Sequence, residues 1–516
     1  MSDATDATDA SASTASTAST ASVASVVVEE RSLDQTLRWW DGFVVALANP
    51  GFLIASLGFS VGALGAWGAV AVWTVSMLIG ALQGWVYQEP ALMFPDKSGG
   101  IALYAHQAWK RYSSLVGPVA TFGYWFGWSS VLSIFGLLVG SLVQAEWFPS
   151  ATWSISLGFS TFGLPKAIGV LAIVLVWFTN TRGMKTAVVL TYITGALLMI
   201  PLVVIMFGAY LSGDFDAARL TWSLPGGWDG WRLALVWLYL MGWSSYAVET
   251  CATFAPEYRD TRKDTTWALR SSSLFSLGVY FFLPLGIVGT LSADEINSGA
   301  GGPYIVTVLQ RVIGAGSGFA TALIIAGLLL SMNTATMDGS RALYGIAKHG
   351  MTIRVLGRLN KHNVPGNAMA LDAVVNIALL FFFDSILGIL AAGNLGYILA
   401  HIAALSGVLL LRKDRPRWPR PYRLSQTWIA VTVVLLVANI LFTVVGFAYF
   451  KDTGYSSGVS WLGVSKELWI GVLILAIGVG LYIYRRTVQD RLPFTWTEPD
   501  DDVPSQHLKA APVATD

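Results

Sequence analysis

An acid and several hydroxyl side chains interrupt the apolar stretch between Trp237 and Glu249. The segment Trp243-Ser244-Ser245-Tyr246 lies at the middle depth of a predicted membrane span. A mid-membrane carboxylate costs about 2.5–3.5 kcal/mol on insertion scales, so Glu249 needs a partner or an aqueous face. Two roles stay open for this acid: gating or proton sensing, or a position at the cytoplasmic end of the span, bound to helix termini or a basic loop.

A second interruption falls in the first apolar run, where Asn49-Pro50-Gly51 separates two stretches of apolar residues. Pro50 has no amide hydrogen and Gly51 has low helix propensity, so the sequence predicts a helix that opens in mid-membrane. Freed backbone groups are tolerated there only beside protein or a water-filled cavity. Alone, this feature is equally consistent with a proline kink that has no function. Two irregular spans together favour the substrate site of a secondary transporter.

The composition indicates an integral membrane protein. The chain has 516 residues, 54% hydrophobic and 12% charged, against roughly 25% charged residues in soluble domains. Its mean hydropathy is +0.59, and stretches of about 20 apolar residues recur along it. A net charge of +1 argues against a nucleic-acid surface. The lone Cys251 excludes an internal disulfide, and the five histidines form no metal-ligand pattern, so no metal or cofactor is expected.

Twelve spans account for the apolar stretches between the two termini. We predict them near residues 42–62, 66–94, 115–145, 166–181, 184–212, 230–254, 269–292, 316–346, 368–385, 387–411, 426–450 and 467–485. With the N-terminus inside, the outside segments hold only six basic residues: Lys166, Arg219, Arg232, Arg311, Lys451 and Lys466. This bias follows the positive-inside rule and puts both termini in the cytoplasm. Residues 1–35 and 488–516 are predicted to be disordered cytoplasmic tails, because they lack an apolar face.

Four segments, taken in order, resemble the amino acid-polyamine-organocation (APC) superfamily, of the bacterial amino acid permease type. They are Pro95-Asp96-Lys97-Ser98-Gly99-Gly100 after Glu89, Asn180 to Lys185, Glu249 to Asp264, and Gly339 to Tyr344 with Lys348-His349-Gly350. The resemblance covers about residues 35–485. It implies an all-α integral membrane fold of about 12 transmembrane helices with an inverted 5+5 repeat (LeuT-like), in which helices 1 and 6 are broken.

The same resemblance divides the transmembrane permease domain, residues 36–487, into a first repeat (36–212), a second repeat (228–411) and two extra helices (425–487). It implies a substrate site between the broken helices, with Trp243 as an aromatic gate six residues before Glu249, as in bacterial arginine–agmatine exchangers. The implied substrate-binding residues are Asn49, Pro50, Gly51, Trp128, Trp243, Ser244, Ser245, Tyr246, Asn333, Thr334 and Asn394. For Trp128, Asn333, Thr334 and Asn394, helix–helix hydrogen bonding is an equal alternative.

Two positions depart from the family pattern. Pro50-Gly51-Phe52 stands where many relatives have Gly-Ser-Gly, which gives a bulkier surface with one donor missing. Leu198 stands where proton-coupled members have a helix-five lysine, and a leucine carries neither charge nor proton. Exchange, uniport or coupling through another group therefore gains weight.

The leading prediction is a secondary permease or exchanger that moves amino acids across the cytoplasmic membrane by alternating access. The alternative within transport is a permease for polyamines or other organic amines. A channel would need a repeated pore motif, and an enzyme would need a clustered nucleophile, metal set or carboxylate pair. An ATP-driven pump would need a phosphate-binding loop. None of these signatures occurs in the sequence. The expected partners are a small-molecule substrate and the lipid bilayer, without nucleic acid.

Overall fold

The computed structural model describes residues 37–46, 50–95, 97, 99–158, 160–182, 187–362, 364–500 and 504. Asn49, the predicted N-terminal tail and most of residues 501–516 lie outside the described residues. The described chain is helical apart from two short antiparallel hairpins. These pair β1 (Ser154–Ser156) with β2 (Thr161–Gly163), and β3 (Ser460–Trp461) with β4 (Val464–Ser465).

Eighteen α-helices make up the described architecture. They are α1 (Trp39–Ala46), α2 (Pro50–Leu64), α3 (Ala66–Val86), α4 (Gln88–Met93), α5 (Gly100–Trp109), α6 (Val116–Ser129), α7 (Val131–Trp147), α8 (Leu164–Thr181), α9 (Ala187–Leu211), α10 (Gly227–Ser245), α11 (Thr261–Thr290), α12 (Ala293–Ser298), α13 (Pro303–Ile313), α14 (Ser317–Lys348), α15 (Gly366–Phe382), α16 (Ile386–Asp414), α17 (Gln426–Tyr449) and α18 (Lys466–Tyr484). Short 3₁₀ segments cover Ala217–Arg219, Tyr246–Glu257, Gly314–Gly316, Arg354–Gly357 and Phe450–Thr453, and a π turn covers Arg485–Gln489.

Eight helical segments of the described chain are long and apolar enough to cross a membrane. They are Ala66–Met93, Val116–Trp147, Leu164–Thr181, Thr261–Thr290, Pro303–Lys348, Ile386–Asp414, Gln426–Thr453 and Lys466–Gln489. Three further apolar helices are shorter: Gly51–Leu64, Gly195–Leu211 and Gly366–Phe382. The predicted helical membrane architecture is confirmed at this level, whereas the count of twelve spans and the inverted repeat stay predictions.

One of the two predicted interruptions occurs at a change of helix. At the first, residues 47–49 lie outside the described residues, and α2 is described from Pro50 onward. At the other interruption α10 ends at Ser245 and the chain continues as a 3₁₀ helix from Tyr246 to Glu257. A long 3₁₀ stretch is uncommon and often marks a hinge or a sequence under strain. A third irregularity separates α6 from α7 at Ser130.

Glycines allow the helices around these interruptions to pack closely. A Cβ atom at Gly123 of α6 would lie 2.3 Å from the carbonyl oxygen of Gly396 on α16. Similarly, a Cβ atom at Gly169 of α8 would lie 3.0 Å from the backbone of Gly136 on α7. Small residues at such crossings let membrane helices approach one another and gain van der Waals contact. The contacts fix α6 and α7 against their neighbours, and these two helices form one wall of the cavity described below.

The chain after α18 contacts the connection between α5 and α6. Ser114 donates its backbone N–H to the carbonyl of Trp496 over 2.7 Å, and Glu498 donates its own to the carbonyl of Lys110 over 2.8 Å. Asp500 accepts a hydrogen bond from Arg415 at 2.8 Å. The first part of the predicted C-terminal tail, through residue 500, therefore has specific backbone and side-chain partners.

Candidate functional site

A small cavity lies where α2, α6, α7, α10 and α16 meet. Its wall is aromatic except for one glycine and one valine, and consists of Phe52, Gly127, Trp128, Val131, Trp243 and Tyr397. The space for a water-sized sphere is about 10 Å³, hardly enough for one water molecule. An amino acid enters only if wall side chains move. The elements that the sequence analysis expected to surround a substrate site thus meet around a closed aromatic centre.

Trp243 forms the α10 side of the cavity. Its indole Nε1 donates a 2.8 Å hydrogen bond to the carbonyl oxygen of Gly127 on α6. Its ring meets the ring of Phe52 edge to face, with centroids 4.8 Å apart, and the ring of Phe135 at 6.5 Å. Edge-to-face pairs of this kind contribute about 0.5–1.5 kcal/mol beyond their buried area. Trp243 therefore connects α2, α6 and α7 from a single position.

The serines beside Trp243 tie α10 to neighbouring helices. Ser244 donates a 3.1 Å hydrogen bond to the carbonyl oxygen of Phe52 on α2, which brings the two interrupted helices together. Ser245 exchanges a 2.7 Å hydrogen bond with Ser76 on α3, and its hydroxyl also lies 3.0 Å from the carbonyl of Met241. Both serine hydroxyls are engaged within the protein in this closed state.

Tyr246 and Glu249 follow in the 3₁₀ helix. The Tyr246 ring packs edge-on against His401 of α16, with centroids 5.1 Å apart. Glu249 is 1% exposed, and its Oε1 accepts a 2.8 Å hydrogen bond from the hydroxyl of Tyr397. Its Oε2 has no hydrogen-bond partner, and no ion pair to Glu249 occurs among the described residues. A cavity-wall residue, rather than a basic loop, thus holds this carboxyl group.

Gly51 faces Leu198, the position at which proton-coupled relatives are expected to have a lysine. A Cβ atom at Gly51 would lie 3.2 Å from Cδ1 of Leu198 on α9. From the other side, a Cβ atom at Gly327 of α14 would lie 2.6 Å from Cγ of the same leucine. Leu198 is fully buried. An apolar side chain therefore fills the space between α2 and α14. Pro50 begins α2, and Asn49 lies outside the described residues.

The remaining predicted site residues divide into two groups. Trp128 lines the cavity and lies 6.0 Å from Phe52 between ring centroids. Asn333, Thr334 and Asn394 are absent from the cavity wall and form hydrogen bonds within the helix bundle. Asn333 accepts a 2.6 Å bond from Asn180 of α8, Thr334 donates to Leu330 of its own helix, and Asn394 donates to the carbonyl of Tyr239. In this closed structure Asn333 and Asn394 join neighbouring helices, whereas the Thr334 bond lies within α14.

Four cavity residues, Phe52, Gly127, Val131 and Tyr397, were missed by the sequence analysis. Phe52 follows the Pro50-Gly51 pair directly, so its closeness to the site was open to prediction, but its inward direction was not. Tyr397 is one of 18 tyrosines, and only the fold brings it to Glu249. A buried acid on α15, Asp372, was also missed, although a lone acid within an apolar span is itself a signal.

A buried ion-pair cluster lies apart from the cavity, around Glu89 of α4. Its Oε1 accepts from Nε of Arg412 at 3.0 Å and from Nε of Arg420 at 2.9 Å. Its Oε2 accepts from Nη2 of Arg412 at 2.5 Å and from the backbone N–H of Leu424 at 2.8 Å. Glu89 is 1% exposed. These bonds join α4 to the end of α16 and to the connection before α17.

Comparison with known proteins gives a consistent result. The profile of the family described as amino acid permease matches residues 37–482. Amino-acid permease RocE of Bacillus subtilis (strain 168) is 26% identical over 365 residues, which is 68% of this chain and 74% of that protein. The lysine-specific permease LysP of Escherichia coli (strain K12) is 24% identical over 403 residues, 70% and 76% of the two chains. The D-serine/D-alanine/glycine transporter of the same organism is 21% identical over 378 residues, 68% and 78% of the two chains.

Proposed function

This chain belongs to the amino acid permease family of the APC superfamily, and from that premise we propose that it is a secondary active transporter, a permease or exchanger. In this proposal it moves amino acids across the cytoplasmic membrane by alternating access, with both termini in the cytoplasm. The named relatives, a lysine-specific permease and a D-serine/D-alanine/glycine transporter, act on amino acids and support this class of substrate. The twelve spans and the 36–212 and 228–411 repeats are part of the proposal.

The observation that carries the proposal is the closed aromatic cavity between the two interrupted helices. Phe52 of α2 and Trp243 of α10 face each other across it, and Ser244 joins the two backbones. Interrupted helices leave backbone donors and acceptors unused by the helix, which suits them to bind the ends of a zwitterion. The backbone amides of Gly51 and Phe52 are the donors that we assign to an anionic group, because amides at the start of a helix are suited to bind anions.

The amino group of the substrate has a matching environment. A cation over the face of an aromatic ring gains about 0.5–2 kcal/mol, depending on how far it is desolvated. Trp128, Trp243 and Tyr397 offer such faces once the cavity opens. Behind Tyr397 lies the Glu249 carboxyl, which forms no ion pair among the described residues. The cavity opens on the Trp243 side only when the Trp243 bond to Gly127 breaks, so we assign Trp243 the role of gate. We assign Glu249 the role of holding Tyr397 in the cavity wall.

The same observations keep organic amines as the second candidate. The cavity wall is aromatic, a carboxyl group stands behind it, and the described residues place no cationic side chain in it. An amine without a carboxylate binds to aromatic faces near an acid and needs no anion site. An amino acid also needs donors for its carboxylate, and the α2 amides are the donors proposed for it. The balance between the two classes depends on whether Pro50-Gly51-Phe52 still binds an anion.

Uptake into proteoliposomes tests the proposal. The purified protein is assayed with a panel of radiolabelled amino acids and amines, by net uptake and by counterflow against unlabelled compound. Trp243→Leu is expected to abolish the signal, while Trp461→Leu, at an exposed tryptophan of the β3–β4 hairpin, leaves it intact. Uptake competed by amino acid analogues but not by decarboxylated amines supports amino acid transport. Uptake of amines alone supports the second candidate, and uptake of neither class refutes the function.

A further inference from the structure

A fully buried carboxyl group lies outside the aromatic cavity, on α15. Asp372 is 0% exposed. Its Oδ1 accepts a 2.5 Å hydrogen bond from the hydroxyl of Ser129 and a 3.2 Å bond from Nε1 of Trp125, both on α6. Its Oδ2 has no hydrogen-bond partner in the described part of the chain. One oxygen of this acid is therefore well satisfied and the other is not, which is unusual for a buried polar group.

Asn376, one helical turn further along α15, extends the cluster across the α6–α7 interruption. Its Nδ2 donates a 2.8 Å hydrogen bond to the Ser129 hydroxyl, which in turn donates to Asp372. Its Oδ1 accepts from the backbone N–H of Ser133 at 3.2 Å and from the Ser133 hydroxyl at 2.9 Å. Two side chains of α15 thus hold the last residue of α6 and the first turn of α7.

No ion pair compensates the charge of Asp372 in the described structure. The cationic groups on the elements packed against α15 are Lys166, Arg341, Lys348 and Arg354. The other titratable groups on those elements are Tyr124, Glu146, Asp338 and Tyr344. Lys166 and Arg354 are already paired, with Asp384 and Asp490 respectively. A buried unpaired carboxylate is costly, and a proton on Oδ2 removes that cost.

The surroundings of Asp372 suit a proton better than a metal ion. A metal ion needs several oxygen lone pairs directed at it. Here the Ser129 hydroxyl and the Trp125 N–H direct hydrogens toward Oδ1, and both donors of Ser133 already occupy the Asn376 oxygen. A single proton needs only the free oxygen, Oδ2.

The Asp372 cluster is adjacent to the cavity wall. Ser129 directly follows Trp128, a residue of the cavity wall. Gly127 directly precedes Trp128, and its carbonyl accepts the indole N–H of the Trp243 gate. The residue that binds Asp372 and the carbonyl that binds the gate therefore lie two residues apart at the end of α6. Leu198 carries no charge, which leaves exchange, uniport or coupling through another group open.

We propose that Asp372 is the proton-binding site that couples transport to the proton gradient, acting on the gate through Ser129 and the α6–α7 interruption. This inference rests on the proposed transport function. Binding of a proton at Oδ2 weakens the Ser129 bond, because a neutral carboxyl accepts less strongly than a carboxylate. The wall segment 127–131 then changes position, which releases Trp243.

The test compares two assays on the same proteoliposomes, with a substrate that the uptake panel identifies. Counterflow without ion gradients reports the transport cycle itself, and accumulation under an acid-outside gradient reports coupling. We expect Asp372→Asn to keep counterflow but to lose stimulation by the proton gradient. Asp214→Asn, the same change at an exposed loop, should behave as wild type in both assays.

Ser129→Ala gives a second, independent readout. Removing a donor to the charged form should shift the pH midpoint of stimulated uptake upward by about one pH unit. If Asp372→Asn disables counterflow as well, this shift decides: its presence supports the proposal and its absence overturns it. The proposal also fails if Asp372→Asn keeps proton-driven accumulation. It fails as well if the wild type shows counterflow but accumulates substrate only under a sodium gradient, or under no gradient at all. Absence of counterflow with every substrate instead refutes the transport function.

Discussion

Replacing Glu89 by glutamine should lower the free energy of unfolding by about 3–5 kcal/mol, since it removes one partner of a buried ion pair. Glu89 is 1% exposed, and the side chains of Arg412 and Arg420 are 19% and 7% exposed. Glutamine keeps the volume and one acceptor oxygen. It removes the charge that holds the two guanidinium groups side by side, and its amide group directs hydrogens at one of them.

The structure favours the lower end of that range. Arg412 also donates to the carbonyl of Leu424 at 2.6 Å, and Arg420 to that of Leu411 at 3.0 Å. These backbone acceptors keep part of the guanidinium hydrogen bonding after the substitution. The four bonds to Glu89 are therefore not lost at full value, and a simple sum at about 1.5–3 kcal/mol for each would overestimate the effect.

Denaturant unfolding of the purified protein in detergent measures this change, and a double-mutant cycle isolates the interaction. Arg420→Gln combined with Glu89→Gln should cost clearly less than the sum of the two single changes, because each single change already removes the same Glu89–Arg420 interaction. Asp229→Asn is the matched control: its carboxylate is 71% exposed and pairs with Arg232 at 3.3 Å, so it should change stability by at most about 1 kcal/mol. If Glu89→Gln is as mild as the control, or if the cycle is additive, the buried pair does not hold α4 as argued.

Three further predictions concern the cavity and the C-terminal segment. Trp243→Phe keeps most of the ring contact but loses the indole N–H bond to α6. We expect the apparent substrate affinity, measured by equilibrium binding, to change roughly 2- to 10-fold, and an unchanged affinity would contradict the gate role. Phe52→Ala should enlarge the cavity, cost about 3–5 kcal/mol in stability and raise uptake of bulky relative to small substrates, which a competition series measures. Hydrogen bonds from Arg485 and Arg354 hold the pKa of Asp490 below its usual range. The contact of Asp490 with these two arginines is therefore stable above that range and is lost as the pH falls through the lowered pKa. Hydrogen exchange of the segment around Asp490 should show this loss, and Asp490→Asn should abolish its pH dependence.

The sequence predicts the elements of this protein better than their contacts. Long apolar runs predict membrane helices because hydropathy is a property of each segment alone. The interruption at Ser245-Tyr246 was also predictable, since a polar run weakens a helix locally, while the one at Pro50 stays a prediction. The 3₁₀ form of the second interruption was not, because it depends on packing against α3 and α11.

The site residues separate in the same way. Trp243 was predicted from the resemblance to bacterial arginine–agmatine exchangers, and it lines the cavity wall. Asn333 and Asn394 have polar side chains in apolar helices, and the sequence alone leaves substrate binding and helix contact equally open. Their bonds to Asn180 and Tyr239 are tertiary and could not be inferred from the sequence.

Leu198 shows how one apolar residue limits the choice of coupling group. It is fully buried and packs against Gly51 and Gly327, so an apolar side chain lies between α2 and α14. Among the described residues, Glu249 and Asp372 are buried carboxyl groups whose hydrogen bonds lead toward the cavity wall. Glu249 is bound by Tyr397, which lines the cavity, and Asp372 by Ser129, next to Trp128. The first contact acts on a side chain and the second on the backbone at a helix interruption. Ser129 lies two residues from Gly127, whose carbonyl binds Trp243, which is why we propose coupling at Asp372 rather than at Glu249.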